Sequence, residues 1–296
     1  MKLVIAGGAG TLGREIAKCF SDKGYEVVVL SRRKTEVQGA RVLLWDGSHI
    51  DSSWGTELKD SVLLNLCGEL VDRIPTEENI RLLETSRVEP TRALTEASNK
   101  FGEPALWMQM STLAIYGDAG DVTLSEDSAV ADGPRQMAGV AKAWEAAAAD
   151  SPAYRKVFLR TGVVLQSGTP ALTRLVTMTK WLLGGTVSKG NQWVSWIDYR
   201  DFVRAMEFII VNVPLTGVVH VTNPNPVTNR DLMRSLRRAL HRPWTPATPA
   251  FMVRIGAKFI FKTDPLLALT GRKAIPTKLL DQGFVFEVNS IEDAIQ

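Results

Sequence analysis

The chain has 296 residues, enough for one large α/β domain or a nucleotide-binding domain with a smaller appendage, and a formal net charge of +3. So small an excess of cations excludes a nucleic-acid groove or a membrane-surface patch as the main partner, which leaves a small molecule. Two cysteines, Cys19 and Cys67, suit a reduced, cytoplasmic protein, and three histidines, His49, His220 and His241, lack metal-ligand spacing, so no metal site is expected.

The opening run Leu3-Val4-Ile5-Ala6 reads as a buried strand, and Leu12, Ile16, Ala17 and Phe20 share one helix face. Between them lies Gly7-Gly8-Ala9-Gly10-Thr11-Leu12-Gly13, a strand-to-helix turn with G-x-x-G-x-x-G spacing. Gly7 permits a sharp turn, Gly10 lets main chain approach a pyrophosphate, and Gly13 lets helix pack on strand. Thr11 and Leu12 open the helix, whose free N–H groups favour an anion. A glycine turn with only a structural role is the alternative.

Gly24 suits a helix C-cap, and Glu26 to Leu30 reads as the second strand, ending at Ser31-Arg32-Arg33-Lys34. An NAD site places a carboxylate here for the ribose hydroxyls; a hydroxyl followed by cations instead suits a 2′-phosphate, so Ser31 and Arg32 favour NADP(H). The alternative is a solvated basic loop. The third strand, Arg41 to Trp45, ends at Asp46, which either accepts from the adenine amino group or simply turns the chain with Gly47. The fourth, Val62 to Leu66, carries Asn65 and Leu66 and breaks at Cys67-Gly68, where small residues would let backbone lie against a ribose. Thr76 caps a long helical pattern reaching Phe101, and Pro90 predicts a kink or a break into two helices.

The fifth strand, Leu106 to Met110, delivers Ser111 and Thr112, then Tyr116-Gly117-Asp118, to the carboxyl edge where open parallel sheets bind ligands. An acidic loop, Asp121 to Asp132, precedes a helix over residues 136–148 in which Trp144 reads as core. The sixth strand, Lys156 to Arg160, runs into Thr161-Gly162-Val163-Val164. Further on, Leu172 to Leu183 is amphipathic with Gly184-Gly185 as its stop, and Gln192 to Asp198 is a tryptophan-rich approach to a helix over residues 200–211, suited to a domain seam or to stacking on a base or sugar. His220, in a strand from Val218 to Thr222, reads as a satisfied core histidine. Thr228 opens another helix, and the final stretch from Ile275 holds a helix and a strand around Phe284-Val285-Phe286.

The Gly7 to Gly13 turn, Asn65-Leu66-Cys67-Gly68, Ser111 to Asp118, Leu159 to Leu165 and Trp196-Ile197-Asp198 together resemble an extended short-chain dehydrogenase/reductase (SDR). More closely, Gly190 to Ile197 and Thr222 to Asn229 resemble the YfcH-type nucleoside-diphosphate-sugar epimerase-like proteins. The resemblance spans essentially the whole chain. It implies a Rossmann-type doubly wound parallel sheet over residues 1–165, with 197–225 returning to it, and a smaller substrate-side subdomain from 166–196 and 226–296. It also implies NADP(H) held by Gly7, Gly10, Thr11, Leu12, Gly13, Ser31, Arg32, Asp46, Asn65, Leu66, Cys67, Gly68, Arg87, Ser111, Gly162 and Val163.

The departures bear on chemistry. Such enzymes exchange a proton through a Tyr whose pKa a Lys four residues on lowers, with a Ser or Thr orienting the carbonyl. Counted from Thr112, the Tyr position falls on Met137 and the Lys position on Ala141. Lys142 is one residue off, rotated by about 100° on a helix. The asparagine common on the long helix is replaced by Arg87, which would lie near the cofactor or pair with Glu84. Two functions follow: an oxidoreductase or epimerase-like enzyme using Thr112 with Tyr116, Asp118 or Glu69 as proton donor, or an NADP(H)-responsive regulatory or binding protein that has lost the chemistry. Neither substrate nor oligomeric state follows from the residues.

Overall fold

A computed structural model describes residues 1–166 and 168–295. Its centre is a seven-stranded, wholly parallel sheet built from β1 (Lys2–Ala6), β2 (Glu26–Ser31), β3 (Arg41–Leu44), β4 (Val62–Asn65), β5 (Leu106–Thr112), β6 (Lys156–Thr161) and β7 (Gly217–Val221). The spatial order is β7-β6-β5-β4-β1-β2-β3, so strand order reverses between β1 and β4, as in a doubly wound Rossmann sheet. A ligand crevice belongs at the carboxyl edge of that switch point.

The strands are apolar on both faces because both faces are covered. Leu3, Ile5, Val27 and Val29 face one layer, where α1 (Thr11–Asp22) buries Ile16, Ala17 and Phe20. Val4, Ala6, Val28, Leu30 and Trp107 face the other, against Trp45, Trp54 and Ala93, Leu94 and Ala97 of α2 (Glu77–Phe101). At about 25 cal/mol per Å² of apolar surface, these fully buried faces dominate the stability of the sheet. α2 stays one helix through Pro90, where the sequence predicts a kink or a break. Tertiary packing outweighs the lost hydrogen bond: Ile80, Leu83, Val88, Leu94 and Ala97 are buried along its length. The Thr91 hydroxyl also donates to the Arg87 carbonyl at 2.7 Å.

Register places the edge residues. Ala6 pairs with Leu30 on one side and Asn65 on the other, setting the Gly7 turn beside the ends of β2 and β4. Thr112 pairs with Thr161, setting the end of β5 beside Gly162. Beyond β6, Val163–Leu165 pairs with Trp196–Asp198, and α4 (Tyr199–Val211), which follows the cleft-side helix α3 (Val140–Ala149), returns the chain to the sheet. A second core of Leu165, Leu172, Trp196, Leu232, Met233, Leu236, Val288 and Ile291 lies beside the first. The expected strand around Phe284 and Phe286 is not formed. These residues join no ladder, the Phe284 N–H donating back to the Leu279 carbonyl, and both rings pack into the main core, Phe284 against Phe208 with centroids 5.3 Å apart. Their alternation reflects burial against a helix rather than strand pairing.

Candidate functional site

Gly7 adopts a φ of +75°, and its N–H donates to the Leu30 carbonyl at 3.0 Å. A side chain here would meet the Cys67 backbone at 3.1 Å, so the β1 and β4 loops touch main chain to main chain. At Gly13 a Cβ would stand 2.5 Å from the Gly8 Cα, so α1 lies against the turn with no room for a methyl group. Gly10 is the N-cap and supplies no side-chain cap, and the first turn holds no acidic residue. The leading amides of α1, with Thr11 and Leu12, therefore present unpaired donors and the positive end of the helix dipole, a cradle that fits a pyrophosphate.

Arg14, which sequence reasoning passed over, braces this turn: its guanidinium donates to Ala9 O at 2.8 Å, Glu36 O at 2.6 Å and the Thr35 hydroxyl at 2.8 Å. An arginine in the first turn of the helix was the only available signal. At the end of β2 the buried Ser31 hydroxyl donates to Arg33 O at 2.9 Å. Arg32 leaves the basic run and pairs with Glu69 at 2.9 Å, whereas Arg33 and Lys34 are exposed. Asp46 turns the chain: its carboxylate accepts from the Ser48 and His49 amides at 2.8 and 2.9 Å, which, with the His49 ring, hold its pKa well below the usual range.

Asn65 is fully buried, donating to Thr91 and Gln109 and accepting from the Cys67 amide at 3.1 Å; it fixes the loop carrying Leu66 and Gly68. Burial pushes the Cys67 thiol up to about 12, so it is no nucleophile. Arg87 lies against Gly68, with only 8% of its surface exposed. It forms no ion pair with Glu84; its guanidinium donates to Leu83 O and Glu69 O, each at 2.9 Å, and covers the Trp144 ring. Burial lowers its pKa to about 10.

At the carboxyl ends of β5 and β6 opens a cleft of about 290 Å³, lined among others by Thr112, Met137, Ala141, Gly162, Val163 and Arg272. Met137 and Ala141 thus face the cleft where the Tyr and Lys of an SDR enzyme would stand. Lys142 points elsewhere, 3.9 Å from Asp132. Thr112 lines the cleft, its hydroxyl accepting from the Ala114 amide at 3.1 Å. Gly162 is tight against the following strand, a Cβ there falling 2.7 Å from Ser195 O. Trp144, expected as core, is 6% exposed yet contributes to the cleft wall. Trp196 is fully buried, whereas Trp193 lines the cleft and donates to Asp121 at 2.9 Å.

Tyr116, expected at the crevice, is withdrawn from it. It is 4% exposed and does not line the cleft; its hydroxyl lies 2.7 Å from His220 Nε2 and accepts from Arg160 at 2.8 Å. Burial raises its pKa, making it a poorer acid than free tyrosine. Arg160 forks onto Glu145 at 2.9 and 2.8 Å, and the Ser111 hydroxyl donates to the same carboxylate at 2.5 Å. Ser111 thereby serves a buried network rather than the crevice. His220 completes it as a core histidine, bonded through Nδ1 to Ile275 O at 2.9 Å. The other proposed donors are also engaged: Asp118 accepts from the Gly271 amide at 3.0 Å, and Glu69 pairs with Arg32 and Arg73, which holds its pKa below the usual carboxylate range. Sequence reasoning missed Arg73, Asp264 and Arg272, which line the cleft from loops whose spacing carries no periodic signal, and Gln136, which lines it from the helical turn Arg135–Gly139. No cluster of metal-ligating side chains occurs among the described residues.

A parallel sheet of this order, with a glycine cradle at its switch point, defines the Rossmann dinucleotide-binding class. Within that class the chain belongs to the NAD dependent epimerase/dehydratase family, which it matches over residues 3–221, and residues 248–296 match a domain of unknown function, DUF1731. Epimerase family protein YfhF of Bacillus subtilis is 30% identical over 311 residues, covering 100% of this chain and 97% of that protein. Epimerase family protein MT2273 of Mycobacterium tuberculosis is 31% identical over 298 residues, covering 99% and 96%. The crystal structure of human epimerase family protein SDR39U1 with NADPH superposes with a TM-score of 0.86 at 25% identity, covering 100% of this chain and 98% of that one. The chain is thus an atypical extended SDR. No helix among its described residues is long and apolar enough to cross a membrane.

Proposed function

We propose that this chain is an NADP(H)-responsive binding protein, in which an SDR cofactor site is retained and the proton relay of the enzymes is lost. The observation that carries this reading is the pair Met137 and Ala141 in the cleft wall: a thioether and a methyl group hold no exchangeable proton. The withdrawal of Tyr116 into the core removes the side chain that best supported an enzyme. The choice of NADP(H) is supported by Ser31 and Arg32 at the end of β2 and by the NADPH in the SDR39U1 crystal. Gly7, Gly10, Thr11, Leu12 and Gly13 would hold the pyrophosphate. Arg32 beside Ser31 would meet the 2′-phosphate, the Asn65 to Gly68 loop the ribose, and Gly162 and Val163 the nicotinamide end.

Residues 1–165 with 197–225 would form the cofactor body, and 166–196 with 226–296 the opposite wall; Trp193, Asp264 and Arg272 in the cleft support that division. The partner would be a small molecule and the setting the reducing cytoplasm, as the free Cys19 and Cys67 suggest. A second reading, an oxidoreductase or epimerase-like enzyme drawing its proton from solvent, rests on the Thr112 hydroxyl in the cleft. Purified protein titrated with NADPH and then offered carbonyl compounds and nucleotide sugars separates the two. Binding without loss of nicotinamide absorbance supports the first, whereas turnover abolished by Thr112→Ala supports the second and overturns the first.

A further inference from the structure

We propose that the cleft receives a compact organic anion, a carboxylate or phosphate monoester with an apolar body, clamped by Arg272, Arg87 and Arg73. The inference rests on the cofactor reading above only for placing this ligand beside the nicotinamide; the clamp itself stands on the protein's own geometry.

Three guanidinium groups line one cavity of about 290 Å³. Arg87 is more than nine-tenths buried, and its two strong hydrogen bonds go to neutral carbonyls, Leu83 O and Glu69 O. Arg272 donates to Gly117 O at 2.6 Å and touches the Met137 sulfur at 3.3 Å, and forms no ion pair among the described residues. Burial lowers the pKa of both. Arg73 pairs with Glu69 at 3.0 Å, yet its Nε is buried without a partner, as is Nε1 of Trp144. The cleft therefore holds unspent donors and no unspent acceptor of matching charge. Asp264 is the one carboxylate in its described lining, and its oxygens accept from Gln136 at 3.0 Å and the Leu266 amide at 2.9 Å.

Arg87 and Arg272 sense the carboxylates of Glu69 and Asp118 but form no ion pair with them, so each buried charge is only partly compensated, and an anion arriving there recovers the remaining cost through charge-assisted, bidentate bonds. The remaining wall, Val71, Leu83, Leu113 and Val140, is apolar and asks for a ligand with a hydrocarbon body. Acid and amide isosteres share that body and differ in charge, so they isolate the clamp.

Calorimetry on the full chain saturated with NADPH, using benzoate, phenyl phosphate and neutral benzamide, tests the proposal. Either anion should bind at least about tenfold more tightly than benzamide, and Arg272→Met should erase that preference while NADPH affinity, measured on the same preparation, stays unchanged. Arg272→Lys should retain part of it, because the charge persists while the fork is lost. Should Arg272→Met fail to fold, Arg73→Met reads the same preference. Equal binding of benzoate and benzamide, no binding of either anion, or an Arg272→Met protein that weakens NADPH instead of the anion overturns the clamp. Failure of NADPH to bind, with anion preference intact in the free protein, would sink the cofactor reading alone.

Discussion

Replacing Arg32 with alanine should weaken NADPH and leave NADH nearly untouched, and the structure sets the size of the effect. A charge-assisted bond to a 2′-phosphate contributes about 1.5–3 kcal/mol when sheltered from water. Arg32 is not sheltered: its side chain is 69% exposed, and it already pairs with Glu69 at 2.9 Å, a contact it must share or surrender on binding cofactor. Exposed pairs are worth about 0.2–1 kcal/mol, so the net contribution should be near 1 kcal/mol, or about fivefold in Kd. Calorimetric titration of wild type and Arg32→Ala with both cofactors, at low and high ionic strength, measures this. The NADPH difference should shrink as salt screens the contact. Glu69→Gln should act in the opposite direction by removing both the competitor and a like charge. Equal losses for NADPH and NADH, or a difference indifferent to salt, would show that Arg32 does not read the 2′-phosphate.

Other expectations follow from the same geometry. Gly13→Ala puts a methyl group 2.5 Å from the Gly8 Cα, so α1 must lift from the turn. Denaturant melts should record a loss of about 1–3 kcal/mol and titration a sharp drop in NADPH affinity. Tyr116→Phe strands the Arg160 donor beneath the cleft and should lower stability by about 1–3 kcal/mol in urea melts, with NADPH affinity unaltered. His220 is buried and its pKa is depressed by desolvation below the ordinary 6.5, so below that pH the unfolded chain takes up a proton the folded chain refuses. Its contribution to stability is therefore complete above pH 6.5 and lost as pH falls, with a limiting slope of about 1.4 kcal/mol per pH unit, which His220→Asn should remove from a pH series of melts. Cys67, with its thiol pushed up to about 12, should resist iodoacetamide until the protein is unfolded, as mass spectrometry of labelled peptides would show.

Legibility in the sequence divided by the range of the forces involved. The glycine turn, the apolar strands and the placing of Met137 and Ala141 at the cleft were readable because each is fixed by local spacing: Gly7, Gly10 and Gly13 by turn geometry, Met137 and Ala141 by their count from Thr112. His220 was assigned to the core from its apolar strand neighbours. Tyr116 misled because its neighbours in sequence lead to the cleft edge while its ring turns toward β6 and β7. The partners Arg160 and His220, 44 and 104 residues away, and the Ser125 carbonyl, which accepts from the hydroxyl at 3.2 Å, disclose that direction. Asp46 carried two roles that its dipeptide could not separate, and the structure commits its carboxylate to the turn. Arg272 and Asp264 come from loops that reach the site only after the C-terminal region packs, so no periodicity announces them.

Asp201 sits fully buried at the start of α4, and its carboxylate accepts the amides of Glu287 and Val288 at 2.9 to 3.1 Å while Arg204 balances its charge. One side chain of the epimerase-family region thus fastens the backbone of the segment matched by DUF1731. Phe284 and Phe286 lock into the main hydrophobic core a few residues before it. Two stretches recognised separately in sequence are in this way tied together: trimming at residue 247 would strip the Asp201 carboxylate of its two amide donors, leaving Arg204 as its partner, and would empty the sockets of Phe284 and Phe286 beneath the sheet. The last fifty residues thus brace the scaffold as well as furnish part of the cleft wall.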